Sequence, residues 1–119
     1  QVNPVLTGEE IIYFQQLVRK IPISDNVLEY AVSLANKSRP NTELATDFVN
    51  NYVSWGAGPR ASQCLVLGAK CHAAISGKYS PYVEDVQAIA KFVLRHRVVR
   101  NYKAEAEGIS IEDTIKSLF

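Results

Sequence analysis

The chain has 119 residues, of which 47% are hydrophobic and 21% are charged, and its formal net charge is +1. This composition is typical of one globular domain and excludes a disordered chain or a second large domain. No apolar run reaches the ~20 residues that a membrane span requires, and the start of the chain shows no signal peptide, so no membrane association is predicted.

The sequence begins at Gln1 and contains no methionine, so we expect it to be a fragment of a larger protein. Its two cysteines are Cys64 and Cys71. On one helix, seven residues separate two positions by about 10.5 Å, which exceeds the ~7 Å Cα limit for a disulfide. The sequence therefore predicts free thiols and a cytoplasmic protein.

The first third of the chain predicts two helices. Thr7 and Glu10 have the spacing of a capping box, and the apolar stripe that follows ends at Pro22. Ser24 is a suitable cap for the second helix, whose stripe ends before Pro40. The apolar positions recur at helical spacing in both segments: Ile11, Phe14, Leu17, Val18 and Ile21, then Val27, Leu28, Ala31, Leu34 and Ala35.

Residues 40–58 are less regular and predict a connector, with one or two helical turns between 44 and 52. Gly56 and Gly58 exclude the interior of a helix at the end of this segment. Pro59 suits the first position of a third helix, since its missing N–H needs no partner there, and Gly77 ends that helix. One face of the third helix is predicted to carry Ala61, Cys64, Leu65, Gly68, Cys71, His72 and Ile75. Gly68 would let another helix approach closely.

Ser80 and Pro81 predict the start of a fourth helix, and Ser110 predicts a short final helix that runs to Leu118. The inward positions of the fourth helix are predicted to be Val86, Ile89, Ala90 and Val93. No strand is predicted, although residues 100–103 also allow an extended segment. The predicted fold is an all-α bundle of four to five helices in a single domain, residues 1–119.

A glycine turn, Gly56-Ala57-Gly58-Pro59, brings Arg60 into the first turn of the third helix. The positive end of the helix dipole favours an anion there, and a guanidinium matches the geometry of phosphate oxygens. This arrangement predicts an anion sensor at Arg60, supported by Gly56, Gly58 and Pro59. The spacing also allows an ordinary Pro-initiated helix whose Arg60 is solvated or paired with an acidic neighbour.

The segment 91–103 is basic and contains no acidic residue. It is suited to phosphates, nucleic acid or an acidic protein surface, and equally to a solvated helix end where basic residues offset the dipole. A pI near 8.0 makes nucleic acid an unlikely partner. The basic side chains are Lys91, Arg95, Arg97, Arg100 and Lys103, with His96 among them.

Other candidate chemistry is weak. Cys64 and Cys71 lie too far apart on a helix to share a metal ion with His72, so no metal site is predicted. The two thiols are predicted to be small core side chains. Residues 76–80 lack the spacing of a phosphate-binding loop, and no catalytic residue can be assigned. The sequence predicts no independent enzyme.

Four segments, taken in order, make the chain resemble the C-terminal helical lid of MoxR-type AAA+ ATPases. Each segment alone is common, but their order and spacing extend over nearly the whole chain. They are 18–28 (VRKIPISDNVL), 56–62 (GAGPRAS), 84–86 with 93–97 (EDV and VLRHR), and 102–108 (YKAEAEG).

The resemblance implies a chaperone-like protein whose ATPase core, absent from these residues, binds ATP and Mg²⁺ and assembles into a ring, commonly a hexamer. It implies that Arg60 is the sensor 2 residue, which contacts the terminal phosphate and couples hydrolysis to movement of the lid. The implied partners are the core of the same chain, neighbouring subunits and proteins with von Willebrand factor A domains. Arg95 and Arg97 are predicted to contact the core or the adjoining subunit. The alternative is a free-standing helical module that binds protein or nucleic acid through 91–103.

Two positions depart from the family pattern. Gly58 stands where the family usually has serine, which weakens the helix cap by a few tenths of a kcal/mol. Tyr82 and Val83 stand where a Thr-Pro pair commonly precedes the Glu-Asp-Val segment, so the start of that helix is expected to be displaced. Neither departure affects Arg60.

Overall fold

A computed structural model describes residues 2–119 and is predominantly helical. Within these residues no helix is both long enough and apolar enough to cross a membrane. The elements in chain order are α1 (Gly8–Arg19), α2 (Asp25–Lys37), α3 (Asp47–Tyr52), β1 (Val53–Trp55), α4 (Pro59–Ile75), α5 (Val83–Leu94), β2 (Val99–Arg100), α6 (Tyr102–Ala106) and α7 (Ile111–Lys116).

The all-α class is confirmed, but residues 2–119 form seven helices rather than four to five. The short α3 corresponds to the predicted turns of the connector. The five-residue α6 was not predicted, because a single helical turn shows no periodicity. It begins where the Asn101 side chain accepts a hydrogen bond from the Ala104 N–H at 3.0 Å. Residues 102 and 103 are therefore helical, and only Arg100 of the segment 100–103 lies in a strand.

The two short strands form an antiparallel pair with Val53 opposite Arg100 and Trp55 opposite Val99. One further backbone hydrogen bond extends this pairing, since the Asn101 N–H donates to the Tyr52 carbonyl at 2.9 Å. These strands connect the segment before α4 to the segment after α5. No strand was predicted here, because two or three residues are too few to show alternation.

The core lies where α4 packs against α5, with α2 covering both helices. Small side chains let the helix axes approach closely, and Leu34, Leu65 and Leu94 fill the remaining space. Gly68 contributes as predicted, since a Cβ at this position would lie 3.0 Å from Ile89 Cδ1. The buried alanines of these three helices are Ala31, Ala35, Ala61, Ala69, Ala73 and Ala90.

The predicted face of α4 is partly wrong. Ala61 and Leu65 are buried, but Cys71 is exposed and the Ile75 side chain is 83% exposed. Ala69 and Ala73 take the core positions toward the end of α4. The error arises because small and medium apolar residues occur on several faces of this helix, so the spacing does not select one face.

The ends of the helices follow their predicted signals with three exceptions, one of which is that α7 ends at Lys116 rather than at Leu118. Thr7 and Glu10 form the predicted capping box of α1, whereas Ser24 is the N-cap of α2 without a side-chain hydrogen bond. Gly77 ends α4 with a φ of 80°, a conformation that glycine adopts without strain. The start of α5 is displaced, because Val83 is its first residue and Pro81 lies outside it.

Candidate functional site

The candidate site is the start of α4, where Gly58 is the N-cap, Pro59 the first helical residue and Arg60 the second. Gly58 offers no side-chain oxygen to the first N–H groups of the helix, and the first turn contains no acidic residue. The positive end of the helix dipole is therefore not neutralised locally. The predicted role of Pro59 as a helix-initiating residue is confirmed.

Arg60 is exposed, and its guanidinium forms no ion pair or side-chain hydrogen bond within residues 2–119. The side chain does not turn back into the bundle, and no acidic neighbour holds it. An ordinary helix start would leave Arg60 either solvated or paired with an acidic neighbour, and the paired form is excluded within these residues. A solvent-exposed guanidinium on the surface of the domain remains, which is the arrangement that a phosphate-directed residue requires.

The turn before Arg60 is held by the end of α2. The Ser38 Oγ accepts a hydrogen bond from the Ala57 N–H at 2.8 Å and donates one to the Ala35 carbonyl at 2.6 Å. The Arg39 Nε donates to the Ala57 carbonyl at 2.7 Å. Both backbone polar groups of Ala57 are thus bonded to side chains that follow α2.

Gly56 has a steric role in this turn. A Cβ on Gly56 would lie 2.4 Å from the Ser38 carbonyl oxygen and 2.5 Å from Arg39 Cα. The backbone of the turn therefore presses against the backbone at the end of α2, where only glycine fits. Gly58 has open space where its Cβ would be, so its identity is not required by packing.

Sequence reasoning missed Ser38 and Arg39, which were treated only as the end of a helix before Pro40. They lie 19 and 18 residues from Ala57 along the chain, and no local pattern reports a contact at that separation. The only sequence signal was a serine and an arginine placed together where a helix ends.

The basic segment 91–103 does not form one continuous patch. Arg95 Nη2 donates to Glu112 Oε1 at 2.7 Å, and Arg100 Nη1 donates to the Ile109 carbonyl at 2.6 Å. Lys103 Nζ lies 5.5 Å from the centre of the Tyr52 ring. These basic groups are directed toward different elements of the domain, which disfavours the predicted alternative of a nucleic-acid surface.

Arg97 folds back against α4. Its Nη2 lies 3.6 Å from Cys64 Sγ, and its Nε is buried with no hydrogen-bond partner within the described residues. Cys64 is half-buried and Cys71 exposed, so the prediction that both thiols are core side chains is wrong for Cys71. Both cysteines are free, as predicted. Within residues 2–119, no three His, Cys, Asp or Glu residues are grouped to hold a metal ion.

A buried carboxylate joins the far end of α4 to the start of α5. Asp85 has no exposed surface and contacts His72 Nδ1 at 2.7 Å and Lys78 Nζ at 3.2 Å. It also accepts the Tyr82 N–H at 2.8 Å. Burial acts to raise the pKa of Asp85, but these hydrogen bonds and the Lys78 charge outweigh it and hold the pKa below its ordinary value.

Lys78 shows the matching shift. Burial acts to lower the pKa of Lys78, but its hydrogen bond to Asp85 and the charges of Asp85 and Glu84 outweigh burial and raise the pKa. The partly exposed His72 lies beside the same carboxylate. The cluster fixes the corner between α4 and α5 and is 12 or more residues from Arg60 along the chain.

An apolar surface covers much of α1, which has no buried residue. Its side chains form one wall of a groove of about 650 Å³ whose other wall is α4 at Leu67, Gly68 and Cys71. Phe14 and Leu17 are each 44% exposed. The predicted stripe of α1 is therefore present, but it is not covered by residues 2–119.

Comparison with known proteins assigns the chain to a family. The sequence profile of the AAA lid domain matches residues 46–118, which is more than half of the chain and includes the whole turn before Arg60. The chain belongs to the AAA lid domain family. We refer to it below as the lid.

Relatives extend this match to the whole lid. YeaC of Bacillus subtilis, an uncharacterized protein, is 27% identical over 117 residues, which are 98% of the lid and 34% of YeaC. The chaperone MoxR1 of Mycobacterium tuberculosis is 29% identical over 115 residues, which are 97% of the lid and 30% of MoxR1. The lid thus spans about a third of the length of the curated relatives that it matches.

A crystal structure of "a putative ATPase from Cytophaga hutchinsonii" has the same fold, with a TM-score of 0.84 and 29% sequence identity. The similarity covers 92% of the lid and 33% of that chain. Together with MoxR1 and the family profile, this structure confirms the predicted resemblance to the lid of MoxR-type AAA+ ATPases.

Proposed function

We propose that the lid is part of an ATP-hydrolysing MoxR-type AAA+ protein and that its Arg60 senses the terminal phosphate of ATP. The observation that supports this proposal is the exposed Arg60 guanidinium, unpaired within residues 2–119, at the start of a helix held by α2. The relatives named as a chaperone and an ATPase, each about three times as long as the lid, support the wider assignment.

The residues of the turn fit an anionic ligand. No acidic side chain lies in the first turn of α4, and the helix dipole adds a positive partial charge to that of Arg60. ATP, held with Mg²⁺ mainly by the ATPase core, supplies a terminal phosphate that is lost on hydrolysis. Arg60 donates charge-assisted hydrogen bonds to its oxygens and so holds the lid in one orientation only while that phosphate is attached.

The exposed face of α1 supports a partner outside residues 2–119. Apolar groups at Phe14 and Leu17 favour burial against another surface. We assign that surface to the ATPase core of the same chain, because about two thirds of the length of the relatives lies outside the matched region. Covalent attachment raises the effective concentration of the core near α1.

The remaining partners follow from the family resemblance. They are neighbouring subunits of a ring, commonly a hexamer, and proteins with von Willebrand factor A domains. Contact of Arg95 and Arg97 with the core or the adjoining subunit stays a prediction, and intact ring assembly after charge reversal at both residues would contradict it. The free thiols of Cys64 and Cys71 favour the reducing cytoplasm as the location of the protein.

The test is Arg60→Ala in the longer protein that contains the lid, assayed for ATP turnover. We expect turnover to fall on the order of 100-fold or more, because an electrostatic contact to the phosphoryl group is lost. Lys116→Ala, which removes an exposed positive charge in the last turn of α7, is the matched control and leaves turnover unchanged. Turnover unaffected by Arg60→Ala rejects the sensor role.

Mixed assemblies separate action within a subunit from action on its neighbour. Subunits with Arg60→Ala are combined with subunits whose own ATP site is disabled. Recovery of turnover in the mixture, relative to either variant alone, indicates that Arg60 acts on the nucleotide of the adjacent subunit. No recovery indicates action within one subunit.

A further inference from the structure

We propose that Ser38 and Arg39 are positioning residues that hold Arg60 toward the nucleotide, an inference that rests on the proposed function of Arg60. Neither residue belongs to α4 or to the glycine turn. Both lie directly after α2, and both bind the backbone of Ala57, three residues before Arg60. Their role is to place the start of α4 relative to the rest of the lid.

Ser38 is well suited to this role because it is completely buried and uses its hydroxyl twice. The Oγ donates to the Ala35 carbonyl in the last turn of α2 and accepts the Ala57 N–H. The donated bond fixes the direction of the hydroxyl, so that its lone pair faces Ala57. Replacement by alanine leaves the buried Ala57 N–H without a partner, which is unfavourable in the folded state.

Arg39 completes the contact from the other side of the same peptide unit. Its Nε donates to the Ala57 carbonyl at 2.7 Å, and its backbone carbonyl accepts the Thr42 hydroxyl at 2.9 Å. With both polar groups of Ala57 bound, the residue before the N-cap of α4 cannot rotate without breaking hydrogen bonds. Gly56 adds a steric limit, since its backbone touches Ser38 and Arg39 directly.

This arrangement determines where the Arg60 guanidinium can reach. A catalytic or sensing group that moves by ~1 Å costs on the order of 100-fold in rate, even when the group itself is unchanged. The contacts of Ser38 and Arg39 therefore affect ATP turnover through Arg60. The same contacts connect α2 to Arg60 through the turn at Ala57. A force on Arg60 from the bound phosphate is therefore transmitted to the end of α2.

The experiment is a double-mutant cycle in the longer protein, with ATP turnover as the readout. Ser38→Ala and Arg39→Met are each made alone and in combination with Arg60→Ala; methionine keeps the length of the Arg39 side chain but has no donor for the Ala57 carbonyl. We expect each single variant to lower kcat about 10-fold. We expect no further decrease when either change is added to Arg60→Ala, since the group being positioned is then absent. Ser38→Thr keeps the hydroxyl and restores most of the turnover.

Controls separate positioning from loss of stability. Ser110→Ala removes a different helix-capping serine, at the start of α7, and lowers the unfolding temperature without touching the turn. It is expected to leave turnover unchanged at a temperature where the protein is folded. Arg39 is only half-buried, so Arg39→Met tests the positioning role even where Ser38→Ala does not fold.

The outcomes are distinguishable. Equal effects of Ser38→Ala with and without Arg60 would assign the residue to general stability and overturn the positioning role. Normal turnover in Ser38→Ala and Arg39→Met, with a loss in Arg60→Ala, would also overturn it while leaving the proposed function intact. Normal turnover in Arg60→Ala would instead reject the proposed function itself, and the positioning role with it.

Discussion

Gly56 lies against Arg39 so closely that a Cβ on the glycine would be 2.5 Å from Arg39 Cα. The two residues belong to different parts of the chain, one after α2 and the other before α4. Because the contact is between backbones, neither side can yield by rotating a side chain. The end of α2 and the turn that leads to Arg60 are therefore joined as one rigid unit.

The first prediction concerns Gly56→Ala. The added methyl group must displace the backbone of Ser38 or of the turn, and we expect a loss of about 1–3 kcal/mol in the free energy of unfolding. Chemical denaturation of the lid, followed by circular dichroism, measures this change. A loss below about 0.5 kcal/mol would show that the turn can move away from α2 at little cost.

The second prediction concerns Gly58→Ser. The backbone at Gly58 is extended, with φ of −87° and ψ of −174°, and a Cβ meets nothing within 4 Å. The serine hydroxyl can then cap α4, so we expect stability to rise by a few tenths of a kcal/mol. The unfolding temperature should increase by about 1–3 °C. An unchanged or lower unfolding temperature would contradict capping of α4 by the serine hydroxyl.

The third prediction concerns Asp85→Asn and pH. The pKa of Asp85 is lowered in the folded lid, so its charge stabilises the fold above its ordinary pKa, and this contribution is lost as pH falls through the folded value. The pKa of Lys78 is raised, so its contribution persists up to its ordinary range near pH 10 and is lost above it. We expect Asp85→Asn to cost about 1–3 kcal/mol between about pH 5 and 9.

Urea denaturation of both proteins across pH measures this cost. The difference between the native lid and Asp85→Asn should shrink as pH falls below the ordinary aspartate pKa of about 3.9, because the unfolded chain binds the proton before the folded lid does. Asp47→Asn, which removes an exposed carboxylate outside the cluster, is the matched control for the loss of one negative charge. A difference that stays constant from pH 7 to pH 2 would contradict the charged role of Asp85.

The fourth prediction concerns Leu17→Glu on the exposed face of α1. In the lid alone, a half-exposed side chain is replaced and stability should change by less than about 1 kcal/mol. In the longer protein we expect a clear decrease in the unfolding temperature, because a charge is then buried against the ATPase core. Differential scanning calorimetry compares the two, with Ile75→Glu at an 83% exposed position as the control.

Two results would contradict this assignment of the α1 face. A similar decrease in the lid and in the longer protein would show that the face packs within the lid itself. Dissociation of an oligomer without a change in the unfolding temperature would instead show that a second copy of the protein covers α1.

The sequence was sufficient to predict features that depend on neighbouring residues. Thr7 with Glu10, Pro59 and Gly77 each mark a helix end through their own backbone or side-chain chemistry, and all three ends were predicted. The exposed position of Arg60 could also be expected, since an arginine beside an N-cap normally faces solvent. These signals lie within four residues of the feature that they specify.

Features that depend on residues far apart in the chain could not be predicted. The contact of Ser38 with Ala57 and the pairing of Val53 with Arg100 join positions that only the fold brings together. The face of α1 illustrates another limit, since its apolar stripe is present but is not covered by residues 2–119, and the sequence does not indicate what packs against it. Cys71 was misplaced because an alanine-rich helix such as α4 offers several apolar faces.

The hydrogen bond between Ser38 and Ala57 holds the start of a long helix, so it also affects the position of the far end of α4. This 17-residue helix is about 25 Å long, with Arg60 in its first turn and the contact between His72 and Asp85 near its other end. A tilt of the helix by about 10° about its first turn moves its far end by roughly 4 Å. Because Asp85 couples this end of α4 to the start of α5, such a tilt would carry α5 with it.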